Sequence, residues 1–73
     1  MMYVLWVLDG SPSFEGEFAM EKEAINKGKE IMKAKRLSSG WITRKGGFER
    51  TDLVYDHKTG NIRVKRAGLG RLL

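Results

Sequence analysis

The sequence contains no cysteine, which rules out disulfide staples and thiolate metal sites and fits a reducing compartment. A single histidine, His57, leaves little material for a hydrolytic triad or a histidine-rich metal centre. No apolar run is long enough to span a bilayer. The most prominent, MMYVLWVL at residues 1–8, also lacks the basic leader and small-residue cleavage site of a secretory signal. Nor do 73 residues leave room for a second domain; a chain of this size builds one thin core of marginal stability. The expectation is a cytoplasmic domain without membrane attachment.

What the sequence does have is charge, unevenly placed. The net value is +5. Residues 1–32 hold three lysines and six acids, a balance of −3, whereas residues 33–73 hold eleven Lys or Arg and three acids, a balance of +8. Such a split favours a polyanion or an acidic protein surface as partner. The plainer reading is charge kept for solubility.

Hydrophobic periodicity divides the chain into six elements. Tyr3 to Leu8 is apolar on both alternations and reads as a strand, closed by the turn formers Asp9 to Ser13. Residues 14–18, FEGEF, alternate, which predicts a half-buried second strand with both Phe on one face and both Glu on the other. From Met20 to Arg36 the period becomes helical, with Ala24, Ile25, Gly28, Ile31 and Met32 on one stripe. Acids in its first turn and bases in its last suit the helix dipole. Gly28 lies on the apolar stripe, where it predicts close approach of the helix to a sheet; residues 37–40, LSSG, end the helix. Strands follow at Trp41–Arg44, Thr51–Tyr55 and Asn61–Lys65, the last two joined by the hairpin signal DHKTG.

The predicted fold is therefore α+β: a small two-layer domain with an antiparallel sheet in ββαβββ order and one helix packed on one face. The domain is expected to span residues 1–66, with residues 67–73 a flexible basic and apolar tail. One helix covers one face only. If Tyr3, Leu5 and Val7 meet it, then Val4, Trp6 and Leu8 lie on the open face, or the reverse, and an exposed apolar group there is a candidate partner surface.

No constellation supports catalysis, and an enzyme is not expected. His57 falls in a turn, and Glu15 and Glu17 lack any pocket signal. Neither Gly46-Gly47 nor Gly68-Leu69-Gly70 fits a phosphate-binding loop or a dinucleotide fingerprint, so no cofactor is implied. KGGFERTDLVY departs from the RNA-recognition motif, because Phe48 and Tyr55 are too far apart and Glu49 intrudes. The cations carry more signal. Arg63, Lys65 and Arg44 are expected on one face of the last strands, with Lys45, Arg50 and Arg66 near their ends, spaced as phosphates along a nucleic acid would require. Trp41 or Phe48 would add base stacking.

In length, layout and charge split the chain resembles small lytic-phage regulators of host RNA polymerase, of the short Xanthomonas-phage type that inhibits initiation and acts in antitermination. Small anti-CRISPR-type phage proteins resemble it equally. The resemblance implies a monomeric, non-enzymatic protein of the host cytoplasm that docks on a large host complex. Val4, Trp6 and Leu8 would make the partner contact, with Trp6 as anchor, and the basic half would lie beside nucleic acid. The alternative from the residues alone is a free-standing basic DNA- or RNA-binding module.

Overall fold

The first strand organises the molecule, because its two alternations must be buried on different partners. In the computed structural model, which describes residues 2–67, the elements run β1 (Tyr3–Asp9), β2 (Ser11–Phe18), α1 (Glu21–Lys35), β3 (Ser39–Arg44), β4 (Arg50–Asp56) and β5 (Asn61–Ala67). The strands form one antiparallel sheet in the order β2-β1-β3-β4-β5. The helix is the connection that carries the chain from edge strand β2 to β3 on the far side of β1. The α+β layout read from the sequence is the one adopted.

Period-two alternation fixes which residues meet the helix. Leu5 and Val7 of β1, Ile42 of β3, Leu53 of β4 and Ile62 of β5 point toward α1 and form the core with Ala24 and Met32. Tyr3, Phe18, Ile25, Ile31, Leu37 and Tyr55 pack around it, half-buried. The helix meets the sheet along Ala24, Gly28 and Met32, spaced four apart on one ridge. At Gly28 a Cβ would fall inside the contact distance of Leu53 Cδ1 and 3.0 Å from Leu5 Cδ1, so the close approach inferred from sequence is real. The helix stands that near because this residue has no side chain.

The helix ends are closed by different means. At the start, the Glu23 carboxylate accepts a hydrogen bond from the Met20 backbone N–H (3.2 Å), satisfying a donor that the first turn leaves open. At the end, Arg36 adopts the left-handed conformation (φ 56°), and its N–H and that of Leu37 both donate to Met32 O. This is a Schellman-type closure, with Leu37 packed on the core. The helix stops just before residues 37–40, LSSG, as expected, but the glycine of that stretch is not its cap. Gly40 instead belongs to β3, where a Cβ would crowd Met32 Sδ at 3.2 Å.

Several details of the strands differ from expectation. β2 begins at Ser11, so the first hairpin turns on Gly10 alone; Pro12 is tolerated because β2 is an edge strand. The alternation of FEGEF is broken: Leu5 pairs with Gly16 but Trp6 with Phe14, which leaves Glu15 as the extra residue of a bulge beside Gly16 at φ 135°. Phe14 and Phe18 therefore face opposite ways, contrary to the strict alternation. Last, β5 continues to Ala67, which pairs with Arg50, two residues past the strand end expected at Lys65. The remainder of the expected tail, residues 68–73, lies outside the described residues.

The hairpin signal at the β4–β5 turn is realised. Asp56 Oδ1 accepts from the Lys58 N–H (2.9 Å), Asp56 O accepts from the Gly60 N–H (2.8 Å), and Gly60 takes φ 76°. Gly46-Gly47 is a turn as well, with the Gly47 N–H donating to Arg44 O (2.9 Å). Among the described residues, no helix is long and apolar enough to cross a membrane.

Candidate docking face

The face of the sheet opposite α1 has no covering layer among the described residues, and the register decides what stands on it. Val4, Trp6 and Leu8 of β1 alternate with the buried Leu5 and Val7, so all three belong to this open face, as one of the two sequence alternatives had it. β3 brings Trp41 and Thr43 opposite Trp6 and Val4. β4 adds Arg50, Asp52 and Val54, and β5 adds Arg63 and Lys65. The bulge in β2 delivers Phe14 opposite Trp6 and leaves Glu17 opposite Val4.

One row of cross-strand partners thus spans the sheet: Phe14, Trp6, Trp41, Asp52 and Lys65. The rings in it are packed on one another. Phe14 meets Trp6 edge-on, with centroids 5.7 Å apart and planes at 70°. Trp6 and Trp41 stack nearly parallel, 6.4 Å apart at 9°. The Arg50 guanidinium lies 5.0 Å from the Trp41 ring centre, held there by its Nε donating to Asp52 Oδ1 (2.7 Å). Each indole is flanked on both sides, Trp6 by Phe14 and Trp41, Trp41 by Trp6 and Arg50. Both stay half-buried, whereas Phe14 (53% exposed) and Leu8 (44%) rise toward solvent.

This geometry constrains what the face can bind. Base stacking needs a free ring face. Both indoles are half-buried beside aromatic neighbours, with Arg50 over Trp41, which leaves less free ring than a base-stacking platform needs and favours packing of apolar area. Phe48, the other aromatic with a possible stacking role by sequence, is 92% exposed and lies in the connection after β3, outside the ridge.

The six cations expected to act together are divided by the sheet. Arg50, Arg63 and Lys65 are on the open face; Lys45 sits at its corner, 3.7 Å from Glu17 Oε1. Arg44 and Arg66 are not there. Arg44 shares its side of β3 with Ile42 and binds Glu49 (Nη1 to Oε1 3.2 Å), while Arg66 shares its side of β5 with Ile62 and pairs with Glu21 at the start of α1. Glu21 also accepts from the buried Thr51 hydroxyl (2.8 Å). Arg66, Glu21 and Thr51 thereby tie the helix N-terminus to the sheet. Among the described residues, Arg63 and Lys65 are the open-face cations without a carboxylate partner. A six-cation surface is reduced to two cations at the β5 margin.

Phe14 and Val54 are the face residues that sequence reading missed. Val54 was legible, since it alternates with the core residue Leu53. Phe14 was signalled only by Gly16, because a glycine inside a strand pattern marks a bulge site. Glu15 and Glu17 have separate partners: Glu15 accepts from Ser13 Oγ (2.8 Å), and Glu17 faces Lys45. No group of three or more metal-ligating side chains converges among the described residues. Compared with known proteins, the chain matches no family model, no curated protein and no solved structure.

Proposed function

We propose that this protein is a non-enzymatic regulator that docks through the open face of its sheet on a large host nucleoprotein machine, inhibiting or redirecting it. The resemblance to small lytic-phage regulators makes RNA polymerase the first partner to test, and inhibition of initiation or antitermination the effect to measure. The observation that carries the reading is the packed ridge of Phe14, Trp6 and Trp41, continued by Leu8 and Val54. Its exposed apolar area has the character of an interface core, enriched in Trp and Phe, with Arg50 at its edge. Arg63 and Lys65 along β5, unpaired among the described residues, give that core a positive rim. The matching surface is an apolar protein patch bordered by carboxylates.

Those same two cations favour the second reading, a nucleic-acid-binding module, because a β-ribbon edge can track phosphates. Binding to purified RNA polymerase separates the two. With Leu8→Glu and Phe14→Glu combined, retention should fall by at least about 30-fold, the range of an interface hot spot. Arg63→Ala with Lys65→Ala should retain the partner and lose mainly its salt dependence. A tight, salt-sensitive mobility shift on random single-stranded DNA or RNA, with no retention of polymerase, would replace docking by the nucleic-acid module.

A further inference from the structure

A second feature lies on the other side of the sheet. Helix α1 packs chiefly on β1 and β3 and less on β4. A cavity of about 430 Å³ lies between residues of the helix C-terminus and residues of the β4–β5 hairpin. Its floor is apolar, made by Met32, Leu37 and Ile62 of the core margin. Tyr55 forms a wall, with its ring set edge-on to His57 at 5.0 Å. Around the rim stand Lys33, Arg36 and His57, together with Ser38.

The charge pattern here is one-sided. No carboxylate lines the cavity, and among the described residues Lys33, Arg36 and His57 form no ion pair with one. By contrast Lys45, Arg66, Arg44 and Arg50 each have a carboxylate partner, at Glu17, Glu21, Glu49 and Asp52; Arg63 and Lys65, on the opposite face of the sheet, do not. The open carbonyls of the last helical turn put a partial negative charge at this end, which the full charges of Lys33 and Arg36 outweigh; Met32 O is taken up by the N–H groups of Arg36 and Leu37. Cationic groups around an apolar, aromatic-walled hollow of ligand size match a particular chemistry.

We propose that this cavity binds a small organic anion, its phosphate or carboxylate held by Arg36, Lys33 and His57 and its apolar body seated against Tyr55, Met32 and Ile62. Arg36 supplies a planar fork for two anion oxygens, and its left-handed backbone turns the residue out of the helix at the rim. A bare inorganic anion leaves the floor uncovered, and a neutral aromatic leaves the cations unused. Both halves of the ligand are required.

The test is an amide NMR titration of the whole protein with phenyl phosphate and benzoate, beside inorganic phosphate and benzyl alcohol. Saturable shifts are expected at Arg36, Ser38, Tyr55 and His57 for at least one of the two aromatic anions, with Kd of about 1 mM or tighter. Inorganic phosphate and benzyl alcohol should bind about 10-fold more weakly. Lys33→Gln with Arg36→Asn should weaken the aromatic anion by a similar factor of about 10; Asn is chosen because it tolerates the left-handed conformation. Failure of both aromatic anions to saturate these amides below about 10 mM would overturn the assignment, given the affinity expected for fragments of this size. So would shifts confined to the open sheet face, or unchanged affinity in the double variant. The variant leaves the open face intact, so its polymerase retention should match the parent whichever way the titration falls.

Discussion

Replacing Gly28 by alanine asks whether the helix sits on the sheet as closely as the structure places it. In an exposed helix this change stabilises by about 1 kcal/mol, because alanine restricts the unfolded chain and favours helical geometry. Here the added methyl meets the terminal carbons of Leu53 and Leu5, both fully buried, so neither can move without displacing its own neighbours. Overpacking of a tight core costs about 1–3 kcal/mol. The expected net effect of Gly28→Ala is a loss of about 1 kcal/mol, the propensity gain being outweighed by the crowding. In a chain of this length that lowers Tm by about 4–8 °C.

A second substitution isolates the cause. Leu53→Val removes the carbon that the new methyl would strike and costs about 1 kcal/mol by itself. Adding Gly28→Ala to Leu53→Val should then be neutral or stabilising. The coupling in the double-mutant cycle is expected at about 1–2 kcal/mol, well above the scatter for independent sites. Urea unfolding followed by the fluorescence of Trp6 and Trp41 measures all four proteins. If Gly28→Ala alone raises stability by the full exposed-helix amount, the helix is not in contact there and the packing argument is wrong.

Gly16→Ala should destabilise by about 1–2 kcal/mol, because φ 135° is open to glycine and strained for other residues; it should also alter Trp6 fluorescence, since the bulge seats Phe14 against that indole. An unchanged spectrum and unchanged unfolding midpoint would mean the bulge does not position Phe14. Thr51→Val keeps the shape of the buried side chain but removes the hydroxyl bonded to Glu21, and should cost about 1–2 kcal/mol in chemical unfolding. No loss would show that Arg66 alone secures the helix N-terminus.

Leu5 and Val7 against Val4, Trp6 and Leu8 was readable as a choice between two alternations, and Gly28 was readable as a contact, because periodicity and the loss of a side chain are local facts. Arg66 was readable too: it keeps step with Ile62 and Val64, so it belongs with the core side rather than with Arg63 and Lys65. Treating the cations as one surface overlooked that parity. Arg36 gave no comparable signal, since the left-handed region rarely takes arginine and only the Leu37 and Met32 contacts show why it does here.

By itself, then, the sequence determined the number and kind of elements, the helix face, the β4–β5 turn and the two-sided first strand. These follow from spacing, side-chain volume and turn chemistry over a few residues. Tertiary structure alone decided the strand order, the pairing that sends Phe14 to join Trp6, and the carboxylate partners that Arg44 and Arg66 find on the helix side of the sheet. It also decided that the helix C-terminus and the β4–β5 hairpin enclose a cation-rimmed hollow. Each of these depends on pairings between residues distant in the chain, and local periodicity carries no information about which distant residue stands opposite.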